Sequence, residues 1–364
     1  MKKYWYRRIL IMVLVFFTSV GGSYLLIEQK KSVMKYEVSA QASEENLVIP
    51  GGMPVGIYMK TKGVMVLDTQ KMKGADGVEH EPALHIVKAG DYIMGFDGKK
   101  IHTKNELVEA VSSFKKQKAM LDIRRDGENI QVKMNTISCE DGSKKLGIWV
   151  RDNAQGLGTV TYLDAESHFG ALGHGIHDVD TGGLLDISDG TLYQTSIKEI
   201  QKGTSGSPGG MEGIIVYNNY NVLGKIRKNT EAGIFGTIDR VDILFANQTP
   251  VQISKKEEVQ KGPAVIRCAV DGEIKEYDIK ICQVNLWAGE VNKSMTIEVT
   301  DQELLEETGG IIQGMSGSPI LQNGKLVGAV THVLVNEPLK GYAISIENML
   351  LVEKNSADSV EDAA

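Results

Sequence analysis

The sequence predicts a mainly β protein with two barrels toward its carboxyl end, an α+β module before them and one transmembrane helix at its amino terminus. Glycine is abundant, with 40 residues against 8 prolines, and short apolar runs alternate with turn residues, as is typical of barrels. A length of 364 residues exceeds what one hydrophobic core usually spans, so two or three domains are expected. The helix is predicted from one long uncharged run near the amino terminus.

Composition excludes several classes of protein. A hydrophobic fraction of 42% and a charged fraction of 24% are ordinary for a globular chain, which argues against wholesale disorder, collagen or coiled coil. The formal net charge is −7, whereas nucleic-acid-binding proteins usually need a basic face that displaces counterions. We therefore expect no nucleic-acid partner.

The amino terminus predicts a membrane anchor over residues 1–27. Ile9–Ile27 is an uncharged run of 19 residues, about 28 Å long as a helix, which matches one hydrocarbon core. Basic residues before the run favour a cytoplasmic amino terminus. A cleaved signal peptide is the alternative, but its best cleavage site, Ala40–Ala42, lies far beyond the run. Residues 28–47 are polar and predict a juxtamembrane linker.

Residues 48–136 predict the α+β module. It contains a strand-like segment at Gly63–Leu67, an amphipathic helix from Lys104 to Phe114 and a hairpin at Asp126-Gly127. This order, with the turn "KAGDYIMGFDGKKI", resembles a bacterial, circularly permuted PDZ domain. Such a domain accepts a peptide as an extra strand and can hold a terminal carboxylate with backbone N–H groups of a Gly-rich loop. The predicted peptide-binding residues are Gly51, Gly52, Val55, Gly56 and Ile57; the alternative is that these glycines only form a turn.

Residues 137–352 predict the barrel pair, and residues 353–364 a disordered tail. Apolar runs at 158–163, 213–217, 279–284 and 325–330 are separated by turn residues, as strands of a barrel are.

The three cysteines indicate neither a disulfide framework nor a zinc site, because their number is odd and no CxxC occurs. A two-residue hairpin at Asp271-Gly272 would pair Cys268 with Lys275 and not with Cys282. We therefore prefer buried, apolar cysteines to a Cys268–Cys282 bridge.

Ser316 is the candidate nucleophile. It lies in Gly314-Met315-Ser316-Gly317-Ser318-Pro319, where small residues allow a tight turn under an exposed hydroxyl, with the N–H groups of Gly314 and Ser316 as oxyanion donors. Ser205 lies in a similar Gly203–Pro208 segment, but no strand-like run directly follows it. The alternative for the Ser316 segment is a plain Gly/Ser turn without a catalytic role.

His174 is the candidate general base, because an accessible imidazole with a pKa near neutrality can take the proton of the serine hydroxyl. It lies between two glycines in "GALGHGIHDVDTG". His168, His177 and His332 compete with it. The residues alone leave the third group of a triad open among nine aspartates between the histidine and the serine: Asp178, Asp180, Asp186, Asp189, Asp239, Asp242, Asp271, Asp278 and Asp301.

The serine turn resembles the nucleophile turn of chymotrypsin-like serine peptidases. Together with the anchor, the PDZ-like module and "TGGIIQGMSGSPILQNGKLVGAVTHVLVNEPLKGYAISIENML", it resembles the SpoIVB peptidase family of sporulation. The resemblance implies a chymotrypsin-like double barrel and a triad of Ser316, His174 and Asp301, the aspartate lying fifteen residues before the serine. It implies no metal and no organic cofactor.

The resemblance also implies where the protein acts and on what. A member of this family would be anchored in a membrane, with its catalytic domain in the intermembrane space of the developing spore. It would cleave itself near the anchor and cleave a regulator of an intramembrane metalloprotease, which leads to activation of the sigma-K factor. Two alternatives stay open: a peptide-binding scaffold with an inactive peptidase fold, and an envelope quality-control serine protease.

Overall fold

The structure is a computed structural model that describes residues 47–246, 248–285 and 289–361. The predicted anchor and all of the linker except Leu47 lie outside these ranges. Within them, no helix is both long and apolar enough to cross a membrane.

The elements, in chain order, divide into three stretches. The first contains β1 (Leu47–Pro50), β2 (Pro54–Thr69), β3 (Met72–Lys73), β4 (Glu79–His80), β5 (Tyr92–Phe96), β6 (Lys99–Lys100), α1 (Lys104–Ser112), β7 (Lys118–Arg125), β8 (Glu128–Asn135), β9 (Ile137–Ser138) and β10 (Lys144–Lys145). The second contains β11 (Ile148–Leu163), β12 (His168–Ala171), β13 (Ile187–Gln201), β14 (Gly210–Ile215), β15 (Val222–Thr230), β16 (Gly233–Ile238), α2 (Val241–Leu244) and β17 (Val251–Gln252). The third contains β18 (Gly262–Cys268), β19 (Lys275–Val284), β20 (Met295–Val299), α3 (Gln302–Thr308), β21 (Pro319–Gln322), β22 (Lys325–Leu334), β23 (Glu337–Ser345) and α4 (Ile346–Glu361).

The first barrel closes through six antiparallel strands, in the order β2, β11, β12, β16, β15, β13 and back to β2. Its core contains Val55, Ile57 and Phe169, whose exposed surface is at most 1%. Alternation of apolar and polar residues places these side chains inside the barrel.

The PDZ-like module is an insertion into the first hairpin of this barrel. The first half of β2 pairs with β11 and β13, with Gly56 opposite Leu157 and Tyr193, whereas Val64 further along the same strand pairs with Ile93 of β5. Residues 54–61 are therefore barrel wall, although the sequence interpretation had assigned them to the module. The module has its own core, which includes Val64, Phe96 and Leu107. The predicted helix is present as α1, and the predicted Asp126-Gly127 hairpin joins β7 to β8.

The second barrel closes through β18, β19, β20, β23, β22 and β21. Two closed barrels confirm the mainly β, double-barrel prediction. The predicted register is also confirmed, since Cys268 pairs with Lys275, but a loop over residues 269–274 joins the two strands instead of a two-residue turn. All three cysteines are free, and Cys268 is fully buried in the core of this barrel.

The carboxyl-terminal segment differs from its prediction. Residues 353–361 continue helix α4 and are not a disordered tail. Ile346 and Met349 of this helix are buried with Tyr162 of the first barrel, and the Tyr162 hydroxyl donates to the Glu353 carboxylate over 2.6 Å. Burial of its apolar face against a barrel gives the helix the tertiary contacts that short helices need.

Candidate active site

Ser316 lies in a tight loop between α3 and β21, as its turn predicts. Gly314 and Gly317 on either side have φ of 101° and 95°, a conformation that residues with a side chain rarely adopt. A Cβ atom at Gly317 would come within 2.0 Å of the Thr159 carbonyl oxygen. Both glycines are therefore needed for the shape of the loop.

Strand β11 of the first barrel holds this loop. The Thr159 amide donates to the Ser316 carbonyl over 2.9 Å, and its hydroxyl donates to the Gly314 carbonyl over 2.8 Å. The Thr161 hydroxyl donates to the Gly317 carbonyl over 2.8 Å. These bonds dock the nucleophile loop of one barrel on the wall of the other.

The β13–β14 hairpin fixes the other side of the same loop. The Gln313 amide donates to the Gly209 carbonyl over 2.8 Å, and the Met211 amide donates to the Gln313 carbonyl over 2.9 Å. Gln313 is thus held immediately before Gly314. Within the described chain, the N–H groups of Gly314 and Ser316 have no hydrogen-bond acceptor. Two free N–H groups beside a serine hydroxyl are what an oxyanion requires.

His174 follows β12 through a constrained turn. Leu172 and Gly173 have φ of 70° and 69°, so the chain reverses direction sharply before the histidine. The His174 Nδ1 lies 2.8 Å from the Gly175 carbonyl oxygen, which can only accept a hydrogen bond. Nδ1 therefore carries the proton, and Nε2 is left as an acceptor, as a general base requires. Burial lowers the pKa of His174 below its ordinary value, so the imidazole is neutral near pH 7.

Ser316 and His174 line one cavity of about 380 Å³ between the two barrels. Most of its other side chains are apolar: Ile57, Leu157, Leu172, Ile176, Ile311, Ile312 and Val333. The Ser316 hydroxyl donates to the Thr331 carbonyl over 2.7 Å, and no bond joins it to His174 in this arrangement. A hydrogen bond between a catalytic serine and its histidine is often long or absent in a free enzyme and forms only once the substrate is bound.

A second imidazole, that of His332, packs against His174. The two ring centres are 4.6 Å apart, and the ring planes are tilted by 36°. Partial burial in the first place, and then the proximity of His174 and Lys293, lowers the pKa of His332 to about 4. His332 is therefore neutral near pH 7 and supports the His174 ring by contact.

Asp301, the predicted third member of the triad, does not reach His174. Its carboxylate accepts the Leu304 amide over 3.0 Å as the cap of α3 and the Asp278 amide over 3.3 Å. It does not line the cavity, and the groups whose charges affect the pKa of His174 are His177 and Glu231. The structure thus corrects this assignment: Asp301 stabilises a helix of the second barrel.

The five predicted peptide-binding residues form part of the first barrel and the turn that leads into it. The N–H groups of Gly51 and Gly52 donate to the carbonyls of Thr161 and Val160, over 2.8 and 3.0 Å. Val55 and Ile57 are buried in the barrel core, and a Cβ at Gly56 would meet the Ile215 side chain at 2.7 Å. No N–H group of the glycine pair is free to hold a carboxylate, so the peptide-binding assignment is wrong.

Ser205 stabilises the fold by joining two loops. It lies in the loop between β13 and β14, and its hydroxyl donates to the Asn336 carbonyl over 2.9 Å. A bridge between Thr204 and Ser207 closes this turn. Ser205 does not line the cavity.

Sequence reasoning missed two residues that hold the serine loop, Thr159 and Thr331. Each acts through a hydrogen bond to a distant segment, for which no local motif exists. Among the residues that the structure describes, two clusters of potential metal-ligand side chains have atoms within 4.8 Å of one another: Asp164–Glu166–His168 and Asp271–Glu303–Glu307. Neither cluster lines the cavity.

The sequence matches one protein family, and the structure is similar to several solved structures. The family described as SpoIVB peptidase S55 matches residues 142–350, more than half of the chain. No curated protein matches the sequence.

Similar solved structures include the HtrA-type protease AlgW with a decapeptide, which is 13% identical, with coverage of 57% of this chain and 55% of that chain and a TM-score of 0.33. The active form of the Rv3671c protease from M. tuberculosis is 12% identical, with coverage of 54% and 72% and a TM-score of 0.30. The PDZ domain of the SdrC-like protein from Listeria monocytogenes is 23% identical, with coverage of 24% and 87% and a TM-score of 0.20.

Proposed function

The chain belongs to the SpoIVB peptidase family, and on this premise we propose that it is a serine endopeptidase with Ser316 as nucleophile and His174 as general base. The proposal depends on one observation. Ser316 and His174 line the same cavity, and within the described chain the N–H groups of Gly314 and Ser316 have no hydrogen-bond acceptor. No cofactor takes part in this reaction.

The first step requires the Ser316 hydroxyl to leave the Thr331 carbonyl. An extended substrate brings a backbone N–H group that can donate to the same carbonyl, which frees the hydroxyl for His174 Nε2. Ser316 Oγ then bonds to the scissile carbonyl carbon as its proton passes to Nε2, and the resulting oxyanion accepts from the two free N–H groups.

The tetrahedral intermediate collapses as the C–N bond breaks. His174 returns the proton to the leaving amine, and an acyl-enzyme remains on Ser316. Water then attacks this ester, again with His174 as the base, and the acid product and the free hydroxyl are released.

Labelling with a serine-directed fluorophosphonate tests the assignment directly. Mass spectrometry of the labelled protein should place the adduct on Ser316, and Ser316→Ala should take up no label. An adduct on Ser205, or a wild-type protein that is never labelled, would contradict the proposal, the latter in favour of an inactive scaffold.

We place peptide recognition by the PDZ-like module on strand β11 instead of the Gly51–Ile57 segment. Over residues 148–153, β11 pairs with β2 on one side, and the described chain provides no strand on the other. Helix α1 contacts it there, where the Lys104 amide donates to the Asp152 carboxylate over 2.8 Å. Val108 on α1 and Trp149 on β11 are 55% and 59% exposed. A free strand edge beside a helix suits an extended peptide.

Binding of a pool of carboxyl-terminal decapeptides tests this edge. Val108→Asp should weaken binding at least tenfold, whereas Val78→Asp, at an equally exposed loop position, should not. Fluorophosphonate labelling should be unchanged in both variants. Equal binding by both variants would show that the peptide does not bind at this strand edge.

The finer biological role rests on the family. We propose that Ile9–Ile27 anchors the protein with its amino terminus in the cytoplasm and its catalytic domain in the intermembrane space of the developing spore. It would cleave itself within residues 28–47 and cleave a regulator of an intramembrane metalloprotease, which activates the sigma-K factor. Mass spectrometry of the purified full-length protein over time, with membrane fractionation, tests both anchoring and self-cleavage. Full-length protein that stays soluble and uncut would refute both.

A further inference from the structure

Three tyrosines stack on the first barrel beside the catalytic cavity. The ring centres of Tyr58 and Tyr217 are 5.5 Å apart and those of Tyr193 and Tyr217 are 5.1 Å apart, both pairs edge to face. We propose that these tyrosines form a substrate-binding surface that selects an aromatic or large aliphatic side chain about four residues after the scissile bond. This inference rests on the peptidase function proposed above.

The sheet of the first barrel places these side chains on its outer face. Directly opposed residues of paired strands share a face, and Gln155 of β11 is opposite Tyr58 of β2. Tyr193 of β13 is opposite Gly56, two residues before Tyr58, so its side chain lies on the same face. Ile57, between them, is buried in the barrel core. The face that carries the tyrosines is therefore the outer one.

Tyr217 reaches this face from the hairpin that β13 and β14 form. It follows β14 by two residues, and 46% of its surface is exposed. Partial burial raises the pKa of the Tyr58 and Tyr217 hydroxyls above the ordinary value for tyrosine, so both are uncharged near pH 7. The stack therefore offers uncharged aromatic rings to a ligand.

Gln155 joins the stack to the catalytic cavity. Its side chain accepts a hydrogen bond from the Tyr217 hydroxyl. The same residue lines the cavity, together with Gly156, Leu157 and Ser316. A substrate that leaves the cavity along β11 therefore comes directly to Tyr217.

The edge of β11 is open at these residues. The Thr159 amide points away from β2, since it donates to the nucleophile loop, and alternation turns the N–H and carbonyl groups of Leu157 and Gln155 the same way. Within the described ranges, β12 and β1 pair with β11 only from Val160 onward, so no strand occupies this stretch. An extended substrate can therefore pair here as an added strand.

This pairing sets which substrate residue meets the tyrosines. The backbone before the scissile bond donates to the Thr331 carbonyl of β22, and the residues after the bond extend along β11, in the wall of the other barrel. The residue opposite Leu157 follows the bond by about two positions, because Leu157 lines the cavity beside Ser316, and the residue opposite Gln155 comes two positions later. Its side chain lies on the outer face, beside Gln155 and Tyr217.

Aromatic and large aliphatic side chains gain most from this surface. An aromatic ring can add to the edge-to-face stack, and any large apolar side chain removes area from water there. A small polar side chain gains neither contribution. The surface lies away from the reacting groups, so it should strengthen substrate binding and act mainly on KM.

A cleavage profile of the full-length protein tests this surface. A pool of synthetic peptides of randomised sequence is digested, and mass spectrometry locates each cut. Aromatic and large aliphatic residues should be enriched at least about threefold near the fourth position after the cut. Two peptides that differ only there, with Phe in one and Ser in the other, should differ about tenfold in kcat/KM, mainly through KM.

Matched variants test whether the stack creates the preference. Tyr217→Ser should lose the preference at that position and keep the preferences at other positions, which a general structural loss would not do. Tyr217→Phe keeps the ring and should keep the preference. Tyr193→Ser, which removes a neighbouring ring, should weaken it. Tyr220→Ser is the control, because Tyr220 is 87% exposed and lies outside the stack.

The outcomes separate this inference from the peptidase function. A wild-type protein that is labelled by fluorophosphonate but cuts without preference near the fourth position would overturn the inference alone. A folded Tyr217→Ser protein with the wild-type preference would do the same, as would loss of the preference in Tyr220→Ser. A wild-type protein that is neither labelled nor able to cut any peptide would refute the peptidase function instead.

Discussion

The amide of Thr159 in the first barrel donates to the carbonyl of Ser316 in the second over 2.9 Å, so the two barrels meet at the nucleophile itself. The hydroxyl of the same threonine donates to the Gly314 carbonyl. This bond fixes the segment that contains the proposed oxyanion donors, the N–H groups of Gly314 and Ser316. Catalytic geometry in this protein therefore depends on how the barrels dock, and not only on the serine turn.

Thr159→Val should test this dependence. The valine has nearly the same shape but leaves the Gly314 carbonyl without its donor, which costs about 1–3 kcal/mol in a buried site. We expect fluorophosphonate labelling to slow about tenfold and the melting temperature to fall. Thr159→Ser, which keeps the hydroxyl, should behave much more like the wild type. Equal rates in all three proteins would show that the bond has no role in shaping the loop.

Ser316→Ala and His174→Ala should each lower self-cleavage at least about a thousandfold, because members of a catalytic unit fail together. The double variant should be little worse than either single one. Cleavage is followed by mass spectrometry, and circular dichroism confirms folding. Ser205→Ala removes only a bond to the Asn336 carbonyl and should keep most activity. A dead, folded Ser205→Ala protein beside an active Ser316→Ala protein would reverse the assignment.

His332 should make stability depend on pH. Its pKa in the folded protein is about 4, below the value of about 6.5 for a free histidine. As the pH falls from 6.5 toward 4, the unfolded chain binds a proton that the folded chain does not, so the free energy of unfolding decreases. His174 contributes in the same direction. In His332→Phe, the melting temperature should therefore change less over this range than in the wild type. The exposed His102→Phe serves as the control, and identical slopes in the two variants would contradict the prediction.

Gly51→Ala should damage the fold instead of peptide recognition. A Cβ atom there would lie 2.2 Å from the Val160 carbonyl oxygen, a backbone atom that cannot move aside cheaply. We expect a loss of stability of about 1–3 kcal/mol, measured by denaturant unfolding. At Gly183, the nearest atom to an added Cβ would be 3.7 Å away, so Gly183→Ala should be nearly neutral. Normal stability of Gly51→Ala together with lost peptide binding would restore the original assignment.

The sequence by itself determined the features that depend on neighbouring residues. The turn around Ser316 follows from its glycines, and the Asp271-Gly272 pair gave the register in which Cys268 lies opposite Lys275. Helix α1 follows from its apolar spacing and its Thr103 cap. The resemblance to the SpoIVB peptidase family likewise rests on short, local sequence motifs.

Tertiary structure alone decided which distant segments meet. Strand β2 closes the first barrel with β11, which begins nearly eighty residues after β2 ends, and a complete module lies between them. Strand patterning does not specify a partner across such a distance, so Gly51–Ile57 could be assigned to the wrong module. The family resemblance likewise pointed to Asp301, whose carboxylate instead caps α3. Ser316 and His174 share a cavity because the nucleophile loop of the second barrel docks on β11 of the first, a contact that only the closed barrels create.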